Sequence, residues 1–191
     1  MRVAVSGSHS VGKSTLIAAF LSRHPEYAHE PEAFEVLADD VELTESGVPT
    51  PDGLLLLLNY TLAAVRSRAA QPRVVFERSP VDYLAYAAAS ARAWPPGEAR
   101  TFLRSQTPLV RAALRHLDLV AYLPLPTVGS VRRRGEDRAF RRRVDARLRD
   151  ALLDDRYELF GDGSLPRLVT LPPTPGRQLG EFSRLVDAPA E

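Results

Sequence analysis

Short apolar runs alternate with longer amphipathic stretches along this chain. The short runs are rich in β-branched and other apolar residues and predict five strands, at 2–6, 27–29, 73–77, 117–123 and 168–171. The longer stretches predict helices at 15–22, 32–38, 54–70, 81–92, 98–115, 138–159 and 177–186. Regular alternation of strand and helix is typical of a parallel sheet with helices on both faces. We therefore expect a three-layer α/β/α fold.

Length and composition indicate one domain spanning residues 1–191. The chain has 191 residues, of which 45% are hydrophobic, enough for one well-buried core. The turn-rich breaks at 47–53, 95–97 and 161–166 are too short to be interdomain linkers. We expect no second full domain.

The absence of cysteine and the short apolar runs indicate the cellular compartment in which the protein is expected. With no cysteine there is no disulfide and no thiolate metal site, and the four histidines share no metal-binding spacing. The N-terminus does not resemble a signal peptide, and the apolar run 54–65 is interrupted by polar residues and too short to span a bilayer. We expect a cytoplasmic protein without a membrane interaction.

The clearest motif lies between the first predicted strand and the first predicted helix. Residues 7–14 read GSHSVGKS and match G-x-x-x-x-G-K-[ST], the phosphate-binding P-loop or Walker A motif, in the strand-loop-helix context that it requires. Its backbone N–H groups and the N-terminus of the following helix bind phosphate oxygens. The motif implies ATP and Mg²⁺ as cofactors. The residues predicted to bind nucleotide here are Gly7, Ser10, Val11, Gly12, Lys13, Ser14 and Thr15.

Two residues of this loop have specific roles in phosphoryl transfer. Lys13, the only lysine of the chain, can reach the β- and γ-phosphates. The hydroxyl of Ser14 is placed to bind Mg²⁺. An ordinary glycine- and serine-rich loop is the alternative interpretation.

A second candidate motif lies at the end of the third predicted strand. Glu77 and Arg78 follow the buried run 73–76, at the edge of the sheet where ligands bind in folds of this class. We expect Glu77 to hold Mg²⁺, directly or through water, and Arg78 to face phosphate. A surface ion pair at a strand end is the alternative.

These motifs together resemble those of the deoxynucleoside kinase and thymidylate kinase group. The resemblance includes the P-loop, Glu30-Pro31, Glu77-Arg78-Ser79 and Arg-Arg-Gly at 133–135, in the family's order. The string SPVDYLAY at 79–86 is also similar to the AAA-type domain of nicotinamide riboside kinases. The resemblance implies a five-stranded parallel sheet of order 2-3-1-4-5. It also implies that Glu30 accepts the proton of the acceptor hydroxyl. The alternative interpretation of Glu30 is an acid that stabilises a helix N-terminus.

Arginines are concentrated in the segment 132–143. Their planar guanidinium groups suit phosphate oxygens, and the resemblance implies a lid over about 127–142 in which Arg134 or Arg138 stabilises the transferring group. Acidic residues lie between the arginines and no aromatic stacking platform accompanies them, which argues against nucleic acid as a partner. A solvated helix face remains the alternative for part of this run.

The acceptor side follows from the same resemblance. It places the acceptor between the second strand and the helices after it, with Tyr86 nearby and Arg177 beside the adenine ring. Core packing is the alternative for each aromatic residue. The residues predicted to contact the acceptor are Glu30, Phe34, Asn59, Tyr60, Arg78 and Tyr83.

The sequence therefore predicts an ATP- and Mg²⁺-dependent phosphotransferase acting on a nucleoside-like hydroxyl. Thymidylate kinases follow Glu-Pro with a Gly-Gly-Thr turn, whereas Glu32-Ala33-Phe34 stands here, which favours a nucleoside over a nucleotide acceptor. A kinase for another alcohol, such as an antibiotic, and a regulatory ATPase or nucleotide switch are the alternatives. We expect a small-molecule acceptor as the partner, and the sequence leaves a homodimer open.

Overall fold

Strands and helices alternate along the chain. The structure, a computed structural model, describes residues 1–45, 47–126, 137–161 and 166–187. Its strands are β1 (Arg2–Ser6), β2 (Ala28–Glu30), β3 (Val74–Glu77), β4 (Leu119–Tyr122) and β5 (Arg167–Thr170). Its helices are α1 (Lys13–Leu21), α2 (Ala33–Leu37), α3 (Pro51–Ser67), α4 (Pro80–Ser90), α5 (Glu98–Leu114), α6 (Arg138–Leu152) and α7 (Pro175–Asp187).

The five strands form one parallel sheet in the order β2-β3-β1-β4-β5. This confirms the predicted order. The central strand β1 pairs Val5 with Glu77 of β3 and Ser6 with Tyr122 of β4. The carboxyl ends of β1 and β3 therefore lie side by side, which brings the phosphate loop next to the second predicted motif.

Each face of the sheet is covered by its own set of helices. Val3, Val5 and Val75 pack on one face with residues of α1 and α7. Ala4 and Phe76 belong to the larger core on the other face, with residues of α3, α4, α5 and α6. The alternation of side chains along the strands thus divides the core into two clusters and confirms the three-layer fold.

Helix starts are specified by local chemistry at two places near the sheet edge. Gly12 is the N-cap of α1 with φ 104°, a left-handed conformation that favours glycine. Ser79 caps α4 through a capping box in which Asp82 reaches back to the Ser79 backbone, and Pro80 takes the first helical position. Both starts lie at the carboxyl edge of the sheet.

One predicted helix is shorter in the structure. The prediction ran to residue 159, whereas α6 ends at Leu152. Asp155 and Glu158 have φ values of 44° and 53°, and the Asp155 carboxylate accepts hydrogen bonds from the backbone of Leu159 and Phe160. The aspartate stabilises a turn there instead of a further helical turn.

Among the described residues, no helix has the length and apolar character needed to cross a membrane.

Candidate functional site

The phosphate loop runs from the end of β1 to the start of α1 and is closely packed. A Cβ on Gly7 would lie 2.7 Å from the carbonyl oxygen of Leu123 and 2.9 Å from Cγ1 of Val11. Ser10, in the middle of the loop, has φ 55°. Thr15, on the first turn of α1, is exposed. Close packing fixes the backbone whose amides would bind phosphate.

Lys13 is buried beneath this loop. Its Nζ donates to the carbonyl oxygen of Ser8 at 3.0 Å, and its side chain is almost fully enclosed. The pKa of Lys13 is lowered to about 8, mainly by burial and in part by the nearby Arg78 charge, while the carboxylates of Glu32, Asp82 and Glu77 act in the opposite direction. The negative charge of a bound triphosphate would stabilise the protonated, charged form of Lys13.

Ser14 and Glu77 form the candidate Mg²⁺ site. The Ser14 hydroxyl donates to Oε1 of Glu77 at 2.7 Å, so two hard oxygen ligands meet at the start of α1. The described residues contain no group of three or more acidic, histidine or cysteine side chains that could hold a metal by themselves. Mg²⁺ in nucleotide sites typically uses one or two protein ligands together with phosphate oxygens and water, so this pair fits the ion.

Arg78 connects the elements around the loop. Its backbone has φ 77°, which costs about 1–3 kcal/mol for a residue other than glycine. The guanidinium donates to Oε1 of Glu32 at 2.5 Å, to the carbonyl oxygen of Gly7 at 2.9 Å, to Oδ1 of Asp82 at 3.2 Å and to the hydroxyl of Tyr86 at 3.1 Å. At most one of its five N–H groups is therefore left for a ligand.

Glu30, which the sequence predicts as the catalytic carboxylate, is hydrogen-bonded to side chains of α3 and of the residue after it. It is the last residue of β2, paired with Phe76, and its side chain points to the α3 side of the sheet. Oε1 accepts from the Tyr60 hydroxyl at 3.0 Å and Oε2 from Nε of Arg68 at 2.7 Å. Both of its oxygens are engaged by α3 and the residue that follows it.

Glu32 is the carboxylate beside the phosphate loop. Burial alone would raise the pKa of Glu32, but the charges of Arg78 and Lys13 and the Arg78 hydrogen bond hold it below its ordinary value. In the described part of the chain Oε2 of Glu32 accepts no hydrogen bond, since Arg78 occupies only Oε1. Glu32 is thus ionised near neutral pH and has an oxygen available to a ligand.

Four site residues have roles that we did not predict from the sequence: Glu32, Asp82, His9 and Arg141. In the sequence, Glu32 is noted only as the start of Glu32-Ala33-Phe34, where thymidylate kinases have Gly-Gly-Thr. Asp82 is fully buried behind the loop, and the capping spacing Ser79-x-x-Asp82 could have indicated it. Nδ1 of His9 lies 3.4 Å from the Tyr86 hydroxyl, a contact that no sequence pattern announces.

The arginine-rich segment is only partly described. Arg134 lies outside the described residues, and Arg138 is exposed on the first turn of α6. Arg141, one turn further, is buried and donates from Nη2 to the carbonyl oxygen of Ser10 at 2.8 Å. The start of α6 therefore lies against the phosphate loop, as a lid requires, and the roles of the lid arginines stay predictions.

The remaining predicted contacts are distributed over the helices. Phe34 and Asn59 are exposed on α2 and α3, and the half-buried Tyr60 bonds to Glu30. Tyr83 is buried in the core, where its hydroxyl accepts from Thr61 at 3.0 Å, an environment that leaves a ligand little access. Arg177 is exposed on the first turn of α7. Their contacts with an acceptor or with the adenine ring stay predictions.

Known structures share this fold at low sequence identity. A deoxyadenosine kinase from M. mycoides with bound dATP is 14% identical with a TM-score of 0.72, covering 98% of this chain and 100% of that one. A thymidylate kinase from Candida albicans is 11% identical with a TM-score of 0.61, covering 97% and 90%. NadR protein in complex with NR is 20% identical with a TM-score of 0.61 over 92% of this chain and 44% of the longer one. These similarities confirm the P-loop nucleoside and nucleotide kinase-like fold expected from the sequence.

The family assignment rests on the sequence itself. The sequence comparison finds no matching curated protein. The profile of a family described as AAA domain matches residues 2–164, which include the phosphate loop, Glu32, Glu77 and Arg78. That match covers most of the chain, and the protein belongs to this AAA domain family.

Proposed function

We propose that this protein transfers the γ-phosphate of ATP to a hydroxyl group of a small, nucleoside-like acceptor, with Mg²⁺ held at Ser14 and Glu77. The observation that carries the proposal is the ionised carboxylate of Glu32, placed among Lys13, Arg78 and the first residues of the phosphate loop. A carboxylate at this position can orient the hydroxyl of an acceptor for attack on the γ-phosphate, and the acceptor panel described below distinguishes transfer to such a hydroxyl from transfer to water. The kinase-like fold supports the same reading.

The chemistry follows from the charges around the loop. The acceptor hydroxyl oxygen attacks the γ-phosphorus as the bond to the β,γ-bridging oxygen breaks, and ADP leaves. Lys13 and the loop amides stabilise the negative charge that develops on the phosphoryl and bridging oxygens. Bound Mg²⁺ would neutralise part of the charge on the β- and γ-phosphates.

Glu32 acts by orientation more than by basicity. Its lowered pKa makes it a weak base, but phosphoryl transfer passes through a loose transition state in which the hydroxyl proton moves late. A hydrogen bond from the hydroxyl to Oε2 of Glu32 aligns the attacking oxygen, and the proton then passes to the carboxylate. This assigns to Glu32 the role that the family resemblance implied for Glu30.

The proposed test measures phosphate transfer from γ-labelled ATP with Mg²⁺ across nucleosides, nucleotides and other alcohols. We expect a labelled nucleoside from the wild type, and a fall in kcat of about 100-fold or more for both Lys13→Ala and Glu32→Gln. Glu35→Gln is the matched control, because Glu35 is an exposed acid three residues from Glu32. Hydrolysis that no acceptor stimulates would contradict the kinase and favour a nucleotide switch.

A further inference from the structure

Asp82 is a fully buried carboxylate that accepts four hydrogen bonds behind the phosphate loop. Oδ1 accepts from the Gly7 amide at 3.1 Å and from Nη1 of Arg78 at 3.2 Å. Oδ2 accepts from the amide and the hydroxyl of Ser79, both at 3.0 Å. The Ser79 hydroxyl also accepts from the hydroxyl of Ser6 at 2.7 Å, which joins this network to the end of β1.

Capping of α4 alone does not account for this arrangement. The Ser79 side chain already accepts a hydrogen bond from Val81 at the start of the helix. Burying an ion pair such as Asp82 and Arg78 costs desolvation of both charges, and such pairs are often no more stabilising than apolar residues of the same size. Buried ionic groups are better explained where they fix one geometry among several.

The geometry that Asp82 fixes includes both sides of the proposed reaction. Through Oδ1 it holds Gly7, the first residue of the loop that would bind the donor. Through the same oxygen it holds Arg78, whose Nε is bonded to Glu32 on the acceptor side. One carboxylate oxygen thus connects the donor loop with the carboxylate that would orient the acceptor.

We infer that Asp82 is a positioning residue that sets the phosphate loop and, through Arg78, the carboxylate of Glu32 in a single relative placement. It touches neither substrate and acts through Gly7 and Arg78. This inference rests on the proposed function and adds a residue on which the alignment of its two substrates depends.

The first test is a double-mutant cycle on kcat with Asp82→Asn, Glu32→Gln and the variant carrying both. We expect Asp82→Asn to lower kcat about 10- to 100-fold while the Kd for ATP changes less than about threefold, because an amide oxygen can still accept from the Gly7 N–H whereas the neutral side chain holds Arg78 less firmly. The double variant is expected to be no more than about threefold slower than Glu32→Gln, because the two residues act along one path. Asp155→Asn is the matched control, an aspartate that caps backbone amides in a distant turn.

Three results would overturn the inference: kcat within about threefold of the wild type, equal losses of kcat and ATP affinity with a lower Tm, or multiplicative effects in the cycle. Asp82→Glu is the second variant should Asp82→Asn fold poorly. It keeps the charge, displaces it by one methylene, and is expected to lower kcat about tenfold. Failure of the proposed function looks different, since the wild type itself would then transfer no phosphate to any acceptor.

A readout independent of activity follows the Nε–H of Arg78 by NMR. In the wild type this proton is bonded to Glu32 and buried, so it exchanges slowly with solvent. We expect exchange at least about tenfold faster in Asp82→Asn, since the bond from Arg78 to this side chain is no longer assisted by a negative charge. Unchanged exchange would overturn the inference even if no acceptor has been found.

Discussion

Nε of Arg68 lies 2.7 Å from Oε2 of Glu30, and the Tyr60 hydroxyl donates a hydrogen bond to the other carboxylate oxygen. The pair joins the edge strand β2 to the end of α3. The acid that the family resemblance assigns to catalysis therefore joins two elements of the fold, and Glu32 is the acid bonded to Arg78 beside the phosphate loop.

Glu30→Gln is accordingly expected to affect stability more than catalysis. The substitution removes the charge from a pair whose arginine is partly exposed to solvent and should lower the free energy of unfolding by about 1 kcal/mol. The value of kcat should stay within about threefold of the wild type, because both Glu30 oxygens are already engaged by Tyr60 and Arg68. Denaturant unfolding measures the change in stability, and the transfer assay measures kcat. A 100-fold loss of kcat at unchanged stability would support the catalytic role of Glu30.

The low pKa of Lys13 gives the site a pH dependence on the alkaline side. In the ligand-free protein the ammonium charge is lost as the pH rises through about 8. ATP binding favours the charged form, so the Kd for ATP should rise by up to about tenfold per pH unit above this value. Lys13→Arg, which stays charged, should remove this dependence.

The same pKa can be measured directly, because Lys13 is the only lysine of the chain. Protein labelled with ¹³C at lysine Cε should give one resonance with a titration midpoint near 8, moved upward by an ATP analogue. The folded pKa lies below the ordinary 10.5, so the unfolded chain binds more protons between these values and this lysine's contribution to stability improves as the pH rises through that window. A midpoint near 10.5 in the ligand-free protein would contradict the burial of Lys13.

Gly7 should not tolerate a side chain. An added Cβ would lie 2.7 Å from the carbonyl oxygen of Leu123, a backbone atom that cannot move aside easily. We expect Gly7→Ala to displace the loop and weaken ATP binding by about tenfold or more, with a lower Tm. Gly176→Ala is the control, since nothing lies within 4 Å of its added Cβ, and calorimetric titration with ATP compares the two.

Arg138 and Arg141 should differ in the step that they affect. Arg141→Gln removes the hydrogen bond to the carbonyl oxygen of Ser10 and is expected to weaken ATP binding about three- to tenfold through the loop. Arg138→Gln is expected to lower kcat at least about tenfold with the Kd for ATP unchanged, since a lid arginine acts on the transferring group. Arg142→Gln, at an exposed neighbouring position, is the control for both. Equal effects of all three substitutions on kcat and on the Kd for ATP would contradict specific roles of Arg138 and Arg141 at the start of α6.

The fold and the donor half of the site could be predicted because their signals are local. GSHSVGKS carries the loop, its lysine and its serine within eight consecutive residues, and each strand and helix shows its own pattern. The pairing of Ser14 with Glu77 follows once strand order is known, since β1 and β3 are neighbours. Local motifs on adjacent strands thus fix this half of the site.

The partners of Glu30 and Glu32 could not be predicted, because they come from distant parts of the chain. Glu30 and Glu32 are two residues apart, and β2 ends between them, so only Glu30 keeps the orientation of a strand side chain. Its partners Tyr60 and Arg68 come from 30 and 38 positions further along the chain. No periodicity in the sequence shows that Glu30 bonds to the α3 side whereas Glu32 bonds to Arg78.

The burial of α4 has a consequence for how the site can open. Each of its residues is buried except Tyr86 and Ala88, which are half-buried, and it packs against α3, α5 and α6. Its first turn holds the Gly7 amide through Asp82. Although Gly7 belongs to a loop, its amide should resist hydrogen exchange as long as the central helices remain folded. Solvent should therefore reach the base of the phosphate loop only when the cooperative unit that contains α4 unfolds.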